Sequence, residues 1–373
     1  MQTRSQTRQL YLDMDITFCT FFYDIGRSDW SNFAIHSNTY MYWFKNVLSL
    51  DINLVIQTEE KFFDSIIEER KKVDPELKKT IVKICSIDKL PAWKKYNQLL
   101  EELMFSKNFK EKVHHDVPEM TRPLYNVLMF NKVFFLKEII EQNPFDTKYF
   151  SWVDTGFIRD ESWIISNQQW PDPEKLHLKE NTVRFFCINN DVIKGLSQTT
   201  KESHCMSQMR YLKGTIFFLD GSCIDQLCQL FDKNVKQCIT DSFIGSDEKI
   251  FDLCYCDNPD LFELTQCDWR EEFHLYAKNA KRRYRFPIKW DIQDVVTPNA
   301  ADYDFWYVGI EDSSTAVIHR CDFNPKDHPE ICNHQSAEFW VEFESATKPH
   351  RVVIWPVGAD KQWLKRTEYR LHL

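Results

Sequence analysis

The sequence predicts an α/β domain built on a mostly parallel sheet, followed by a small antiparallel β domain. Three observations carry this reading. Apolar, β-prone runs alternate with helical patterns through the first 265 or so residues, as chains of βαβ units do. After about Arg285 the helical periodicity nearly vanishes, and short alternating strands take over. Within the first part, Tyr149-Phe150-Ser151-Trp152-Val153 is an apolar run that stops at one carboxylate, Asp154, with Gly156 close behind. A buried parallel strand reads this way, and ligands of open α/β sheets bind just beyond the carboxyl ends of such strands.

Taken in order, the expected strands are Thr17 to Tyr23, Ile52 to Thr58, Thr80 to Ile87, Phe150 to Val153, Val183 to Ile188 and Thr215 to Leu219. Each is a run of β-branched or aromatic residues of strand length. Helices are expected at Asn38 to Leu48, Glu60 to Lys72, Trp93 to Phe105 and Leu124 to Glu141. The last has a helical stripe of Leu124, Val127, Leu128, Val133, Leu136 and Ile140. Asn143-Pro144 ends it. A short helix, Lys249 to Cys254, follows Gly245-Ser246-Asp247-Glu248. In the last part strands are expected at Ile288 to Ile292, Phe305 to Ile310, Ala316 to His319, Phe339 to Phe343 and Val352 to Trp355. Glu338-Phe339-Trp340-Val341-Glu342-Phe343 alternates as a half-exposed antiparallel strand does. We therefore expect one domain over 12–280 and a β-sandwich over 286–373.

Composition bounds the function. The chain has 373 residues, 43% of them hydrophobic, enough for a real core and for two or three domains. Its net charge of −9 argues against a nucleic-acid binder that works by phosphate neutralisation. Lys281-Arg282-Arg283-Tyr284-Arg285 runs against that balance and reads first as a solvated segment between domains, second as a polyanion patch or nuclear address. No apolar stretch reaches the roughly 20 residues that span a bilayer. The polar segment Met1 to Leu10 lacks the apolar centre of a signal peptide. The 12 cysteines form no Cys-x-x-Cys pair, so neither a zinc ribbon nor a thioredoxin motif is present. Cys19, Cys85 and Cys187 fall in strands, as small buried hydrophobes do. A reducing compartment is the default, with a secretory lumen as the alternative for a chain that has lost a leader.

A second strand repeats the pattern at Asp154. Thr17 to Tyr23 runs into Asp24-Ile25-Gly26-Arg27. Two strands that bring Asp and Arg to one sheet edge suit a charged, metal-chelated ligand such as a nucleotide sugar. The other reading makes both aspartates caps of turns or helix starts.

Four blocks resemble the HtrL/YibB family, which is linked to glycosyltransferases. They are Thr20 to Arg27, with the family's "DIGR" turn; Asp51 to Thr58, with Arg70 downstream; Asn143-Pro144-Phe145 with Phe150 to Phe157, its "NPF … WxDxG" block; and Ile244 to Glu248 with Asn258-Pro259-Asp260-Leu261-Phe262. Their order and spacing match across 15–265. The resemblance implies a GT-A-like, Rossmann-type nucleotide-diphospho-sugar fold, a nucleotide-sugar donor and a glycan or glycoconjugate acceptor.

Such a reaction needs the leaving diphosphate stabilised, by Mg²⁺ or Mn²⁺ or by Arg and Lys. Asp154 is the first candidate for a metal ligand. The usual Asp-x-Asp reads Asp154-Thr155-Gly156 here, so the second carboxylate is missing. Asp24, Arg27, Arg70 and Lys132 are the candidate nucleotide-binding residues, Arg for bidentate and Lys for point-charge contacts with phosphate. Arg70 and Lys132 also read as solvated helix charges. Asp247 and Glu248 are the candidate catalytic bases, or else favourable first-turn acids. A non-catalytic glycan-binding or scaffolding protein on a degenerate transferase fold is the rival reading.

In the last part, Cys321, His328, Cys332 and His334 lie close together, but Cys-x6-His-x3-Cys-x-His is no standard zinc spacing, and ordinary loop residues are preferred to zinc or to a Cys321–Cys332 disulfide. Tyr307 to Ile310, Val317 to Arg320 and Ala337 to Val341 loosely resemble the β-sandwich domain named after farnesoic acid O-methyltransferase, which implies glycan or protein binding rather than methyl transfer. Trp290, Trp306, Trp340, Trp355 and Trp363 are candidates for a stacking surface or for core.

Overall fold

The computed structural model describes residues 16–278, apart from 31–32, 115, 160, 166–168, 189–195, 197–198, 208 and 268–270, and the strand backbones between 282 and 370. The chain divides into two compact units, Met1–Lys278 and Asn279–Leu373.

The first unit is a mixed α/β layer structure. Its seven strands are β1 (Ile16–Phe22), β2 (Asn53–Thr58), β3 (Thr80–Ile84), β4 (Tyr149–Val153), β5 (Val183–Cys187), β6 (Leu212–Asp220) and β7 (Phe262–Gln266), in the order β3-β2-β1-β4-β6-β5-β7. Pairing is parallel for β1 with β2, β1 with β4, β2 with β3 and β5 with β7. β6 runs antiparallel to both β4 and β5, so it alone is reversed. The six longer helices among the described residues are α1 (Ser37–Leu48), α2 (Glu60–Arg70), α3 (Pro91–Phe105), α4 (Pro123–Gln142), α5 (Ile224–Thr240) and α6 (Asp247–Asp257). The chain leaves β1 in one direction, through β2 to β3, and later adds β4 on its other side. The point between β1 and β4 is where strand order reverses, and a crevice opens there beyond the strand ends.

The expected strands of this unit are present, but β3 ends at Ile84 rather than Ile87, β7 was not among those expected, and β6 differs in two ways. Expected as Thr215 to Leu219, β6 begins at Leu212, because Lys213 and Gly214 interrupt the apolar run while still lying in the strand. Lys213 is 1% exposed, and its ammonium sits 3.2 Å from the carboxylate of buried Glu272. The reversal of β6 was also not expected. The connection over 188–211 is long enough for a parallel crossover, yet β6 pairs antiparallel with both β4 and β5.

Helix α4 explains the inner packing. Pro123 opens it with its ring angle already helical. Asn143 closes it at φ 38°, its side chain accepting from the Thr147 amide and donating to the Thr147 carbonyl. Helix α4 buries Val127, Phe130, Val133, Phe135 and Leu136 against the sheet and against α3 and α5. Each such side chain is worth about 1.5–3 kcal/mol. Trp152 of β4 is fully buried, 4.8 Å from the Phe21 ring.

Arg70 serves the opposite edge of the sheet. It is 0% exposed and donates to the carbonyls of Leu48 and Leu50 at 2.6 and 2.7 Å, to the Ile52 carbonyl at 3.2 Å and to Thr80 Oγ1 at 2.9 Å. Those partners lie at the amino-terminal ends of β2 and β3. Arg70 is therefore neither a solvated charge nor a neighbour of Asp154; it gathers the carbonyls that lead into β2.

The second unit holds a four-stranded antiparallel sheet, β10 (Val317–Phe323), β9 (Tyr303–Glu311), β12 (Arg351–Gly358) and β13 (Thr367–Arg370), and a two-stranded ribbon of β8 (Arg282–Asp291) with β11 (Ser336–Ser345). Arg282 to Arg285, expected in a solvated connection, belong to the start of β8 and pair with Ser345 to Glu342. His328, Cys332 and His334 lie outside the described residues, as do Lys281 and Trp363.

Arg70→Met should lower the unfolding free energy by about 3 kcal/mol or more, since it strips several carbonyls of a charged donor. Chemical denaturation measures this. An unchanged midpoint would show that the clamp contributes nothing.

Candidate functional site

The site grows from the strand ends. Asp24 lies two residues beyond β1 and opens a turn: its Oδ1 accepts from the Gly26 amide at 3.0 Å, and Gly26 has φ 68°. The turn reading of Asp24 therefore holds, with Lys61 Nζ 3.8 Å from its other oxygen. The turn delivers Arg27, whose Nε donates to the Phe33 carbonyl at 2.9 Å and whose Nη1 donates to Tyr40 Oη. Its guanidinium also stacks 5.4 Å from the rings of Trp30 and Tyr40. Arg122 stacks on the same Trp30 at 5.6 Å. Arg27 and Tyr40 line a cleft together with Phe21, Tyr23, Asp24, Tyr125 and Thr155. Burial, reinforced by nearby Asp247, Glu119 and Glu248, raises the Tyr125 phenol well above its usual range.

Asp154 follows β4 directly. Its Oδ1 accepts from Trp152 Nε1 at 2.6 Å and lies 3.0 Å from Lys132 Nζ. Its side chain stays 28% exposed, so solvent reaches it, whereas that of Lys132 is 2% exposed. Lys132 is thus no solvated helix charge. From α4 it ties three elements together: Asp154 after β4, the Gly214 carbonyl of β6 at 3.0 Å, and Asp247 Oδ2 of α6 at 2.8 Å. Burial alone would lower its pKa; Asp154 and Asp247 outweigh burial and raise it. Burial raises Asp154, with Lys132 opposing and Asp247 reinforcing.

Asp247 and Glu248 occupy the first turn of α6 and are both buried. Glu248 accepts from the Gly214 amide at 3.3 Å and pairs with Arg210 at 3.3 Å. Burial pushes its carboxyl up to about 7, with Asp247 adding and Arg210 opposing. Arg210 is itself held by Glu119 at 2.6 Å. A methyl group on Gly214 would come within 2.8 Å of Asp247 Oδ2 and 3.1 Å of Glu248 Cγ, so glycine alone lets α6 approach β6 this closely.

The structure thus gathers Asp154, Lys132, Asp247 and Glu248 into one network, with Asp24 and Arg27 on the adjoining cleft, and leaves Arg70 apart. Sequence reasoning missed Tyr40, Tyr125, Arg122, Glu119 and Arg210, which carry no motif of their own. An isolated glycine in a strand, Gly214, is a sequence signal of close approach that was available. Among the described residues no three His, Cys, Asp or Glu side chains converge as a metal site. Asp154 offers one carboxylate, which suits Mg²⁺ or Mn²⁺ arriving with substrate phosphates rather than a resident ion.

Fold and site together define a doubly wound α/β protein with a ligand crevice at the switch point of its sheet. The chain belongs to the HtrL_YibB family: residues 14–278 match the model described as "Bacterial protein of unknown function (HtrL_YibB)". Protein HtrL of Escherichia coli (strain K12) is 21% identical over 284 residues, 71% of this chain and 93% of that protein. The crystal structure of mouse xyloside xylosyltransferase 1, apo form, matches 70% of this chain and 93% of that one at 12% identity and a TM-score of 0.34.

Two outcomes follow from the network. Lys132→Met should cost about 3–5 kcal/mol in denaturant unfolding, because it strands buried carboxylates. For Glu248 the folded pKa, about 7, lies above the ordinary 4.5. The fold then favours the protonated form, so stability falls as pH rises from about 4.5 to 7 and levels off above. Glu248→Gln should flatten that slope; identical slopes for both proteins would refute the assignment.

Proposed function

We propose that this protein transfers a sugar from a nucleotide diphosphate to an acceptor hydroxyl. The observation that carries the reading is an aromatic-walled cleft at the switch point whose lining includes Thr155, next to the reachable Asp154, and Tyr125, on which the charge of the buried acid Glu248 acts. Aromatic walls suit a nucleobase, which stacks on them at about 1–3 kcal/mol per base. Arg27 and Arg122 supply cations for the diphosphate. Asp154 holds a ribose hydroxyl or the divalent ion that accompanies the diphosphate; that ion supplies charge neutralisation of the leaving group. Lys132 fixes the direction of Asp154 from behind. Glu248 is the base for the acceptor hydroxyl, since a base with pKa near the working pH is most effective. Asp247, engaged by Lys132, positions the start of α6. The absence of a second carboxylate at position 156 and the presence of a second β unit favour a rival reading, glycan binding without catalysis, with the second unit as a β-sandwich lectin.

A thermal-shift panel of nucleoside diphosphates and their sugars, with and without Mn²⁺, tests the reading; ligand binding raises the melting point by mass action. Flat traces at millimolar nucleotide would sink it, and a glycan array positive only through residues 286–373 would establish the rival. With a donor in hand, Asp154→Asn should lower turnover about a hundredfold or more. A folded Asp154→Asn protein with unchanged turnover and metal response removes Asp154 from the chemistry.

A further inference from the structure

A second cleft has Glu119 among its lining residues. Phe33, Met120 and Met206 form its apolar wall, and Arg210, Ser246 and Lys249 its polar one. The polar wall is the start of α6. A helix leaves its first amides without intrahelical partners and carries a partial positive charge there. Residue Ser246 stands at the N-cap, yet its hydroxyl does not cap the helix. That hydroxyl is buried, in a residue 3% exposed, and has no hydrogen-bond partner. A serine at this position ordinarily accepts from the first turn. Here it is a buried donor left over.

Two cations complete the wall. Lys249 is 3% exposed, and its Nζ donates to Ser207 Oγ at 3.1 Å, with no carboxylate within ion-pair distance among the described residues. It folds back over its own helix start because residue 245 is glycine: a methyl there would lie 2.8 Å from Lys249 Cβ and Cγ and 3.3 Å from the Cys205 carbonyl. Arg210 provides the other cation, and the acid in this wall among the described residues, Glu119, is already bound to it.

We propose that this cleft binds an anionic group, a phosphate monoester or a sugar carboxylate, through Ser246, Lys249, Arg210 and the first amides of α6. An anion gives the idle hydroxyl an acceptor and Lys249 a counter-ion, at a site of the kind helix starts form for phosphate. Glu248 faces both this cleft's Arg210 and the network around Asp154. On the transferase reading, the anionic group therefore belongs to the acceptor, held beside the base. That last step alone rests on the proposed function.

Isothermal titration of the full chain tests it with four probes: inorganic phosphate, glucuronate, glucose and uridine diphosphate. Phosphate or glucuronate should bind and glucose should not; the stronger of the two anions tells phosphate ester from carboxylate. Lys249→Gln should weaken that anion about tenfold or more, and the milder Ser246→Ala severalfold, with both proteins judged folded by their melting transitions. Uridine diphosphate should bind both variants as it binds the parent. No anion binding to the parent, or anion affinity unmoved in both variants, overturns the site. Equal losses for phosphate and uridine diphosphate in Lys249→Gln overturn it as well, since the cleft would then belong to the donor. If uridine diphosphate fails to bind the parent while the anion binds, the transferase reading loses its support and the anion site stands.

Discussion

One buried ammonium organises this protein. Lys132 reaches from the middle of α4 to the end of β4, the first residues of β6 and the first turn of α6. Desolvating such an ion costs several kcal/mol, and the cost is offset only where partners are close and numerous. Here two carboxylates and a carbonyl meet it within 3.0 Å. Any displacement of β6 or α6 would leave at least one of those charges alone in a medium that cannot solvate it. The position of Glu248, the exposure of Asp154 and the narrow approach at Gly214 all follow from that demand.

A similar logic runs through the rest of the first unit. Lys213 with Glu272, and Arg70 with the carbonyls before β2, are charged groups spent on holding irregular backbone or strand ends in place. An otherwise aromatic core, with Trp152, Phe21, Phe130 and Phe185 fully or nearly buried, supplies bulk stabilisation without direction. The ionic contacts supply the direction, since each demands particular partners at particular distances.

That division explains what the chain's letters disclosed. Strands β1 and β4 and helix α4 were legible because their apolar runs have the right period and run into Asp24, Asp154 and Asn143-Pro144. Asp24 and Asp154 were legible as strand-end acids, and Asp247 with Glu248 as helix openers. Lys132 and Arg70 look in sequence like any helix-surface charge; only contacts with residues tens of positions away, such as Gly214 and Asp247, or Leu48 and Thr80, reveal them as buried. The start of β6 was hidden for the same reason, because a lysine and a glycine masked a strand whose pairing is long-range. The reversal of β6 was hidden too, since the connection over 188–211 is long enough for either direction and no residue in the strand encodes it.

The burial of Lys132 also makes it a reporter. An amine is a nucleophile only when deprotonated and reachable, and this one is neither while the network holds. Acylating reagents that modify the exposed lysines of the native surface, Lys71 or Lys107 for instance, have no path to it. Lys132 becomes reactive when α4, β6 and α6 separate, an opening that exposes the core of the unit. Its labelling rate therefore counts the openings of the whole first unit from one side chain, without a spectroscopic probe having been introduced.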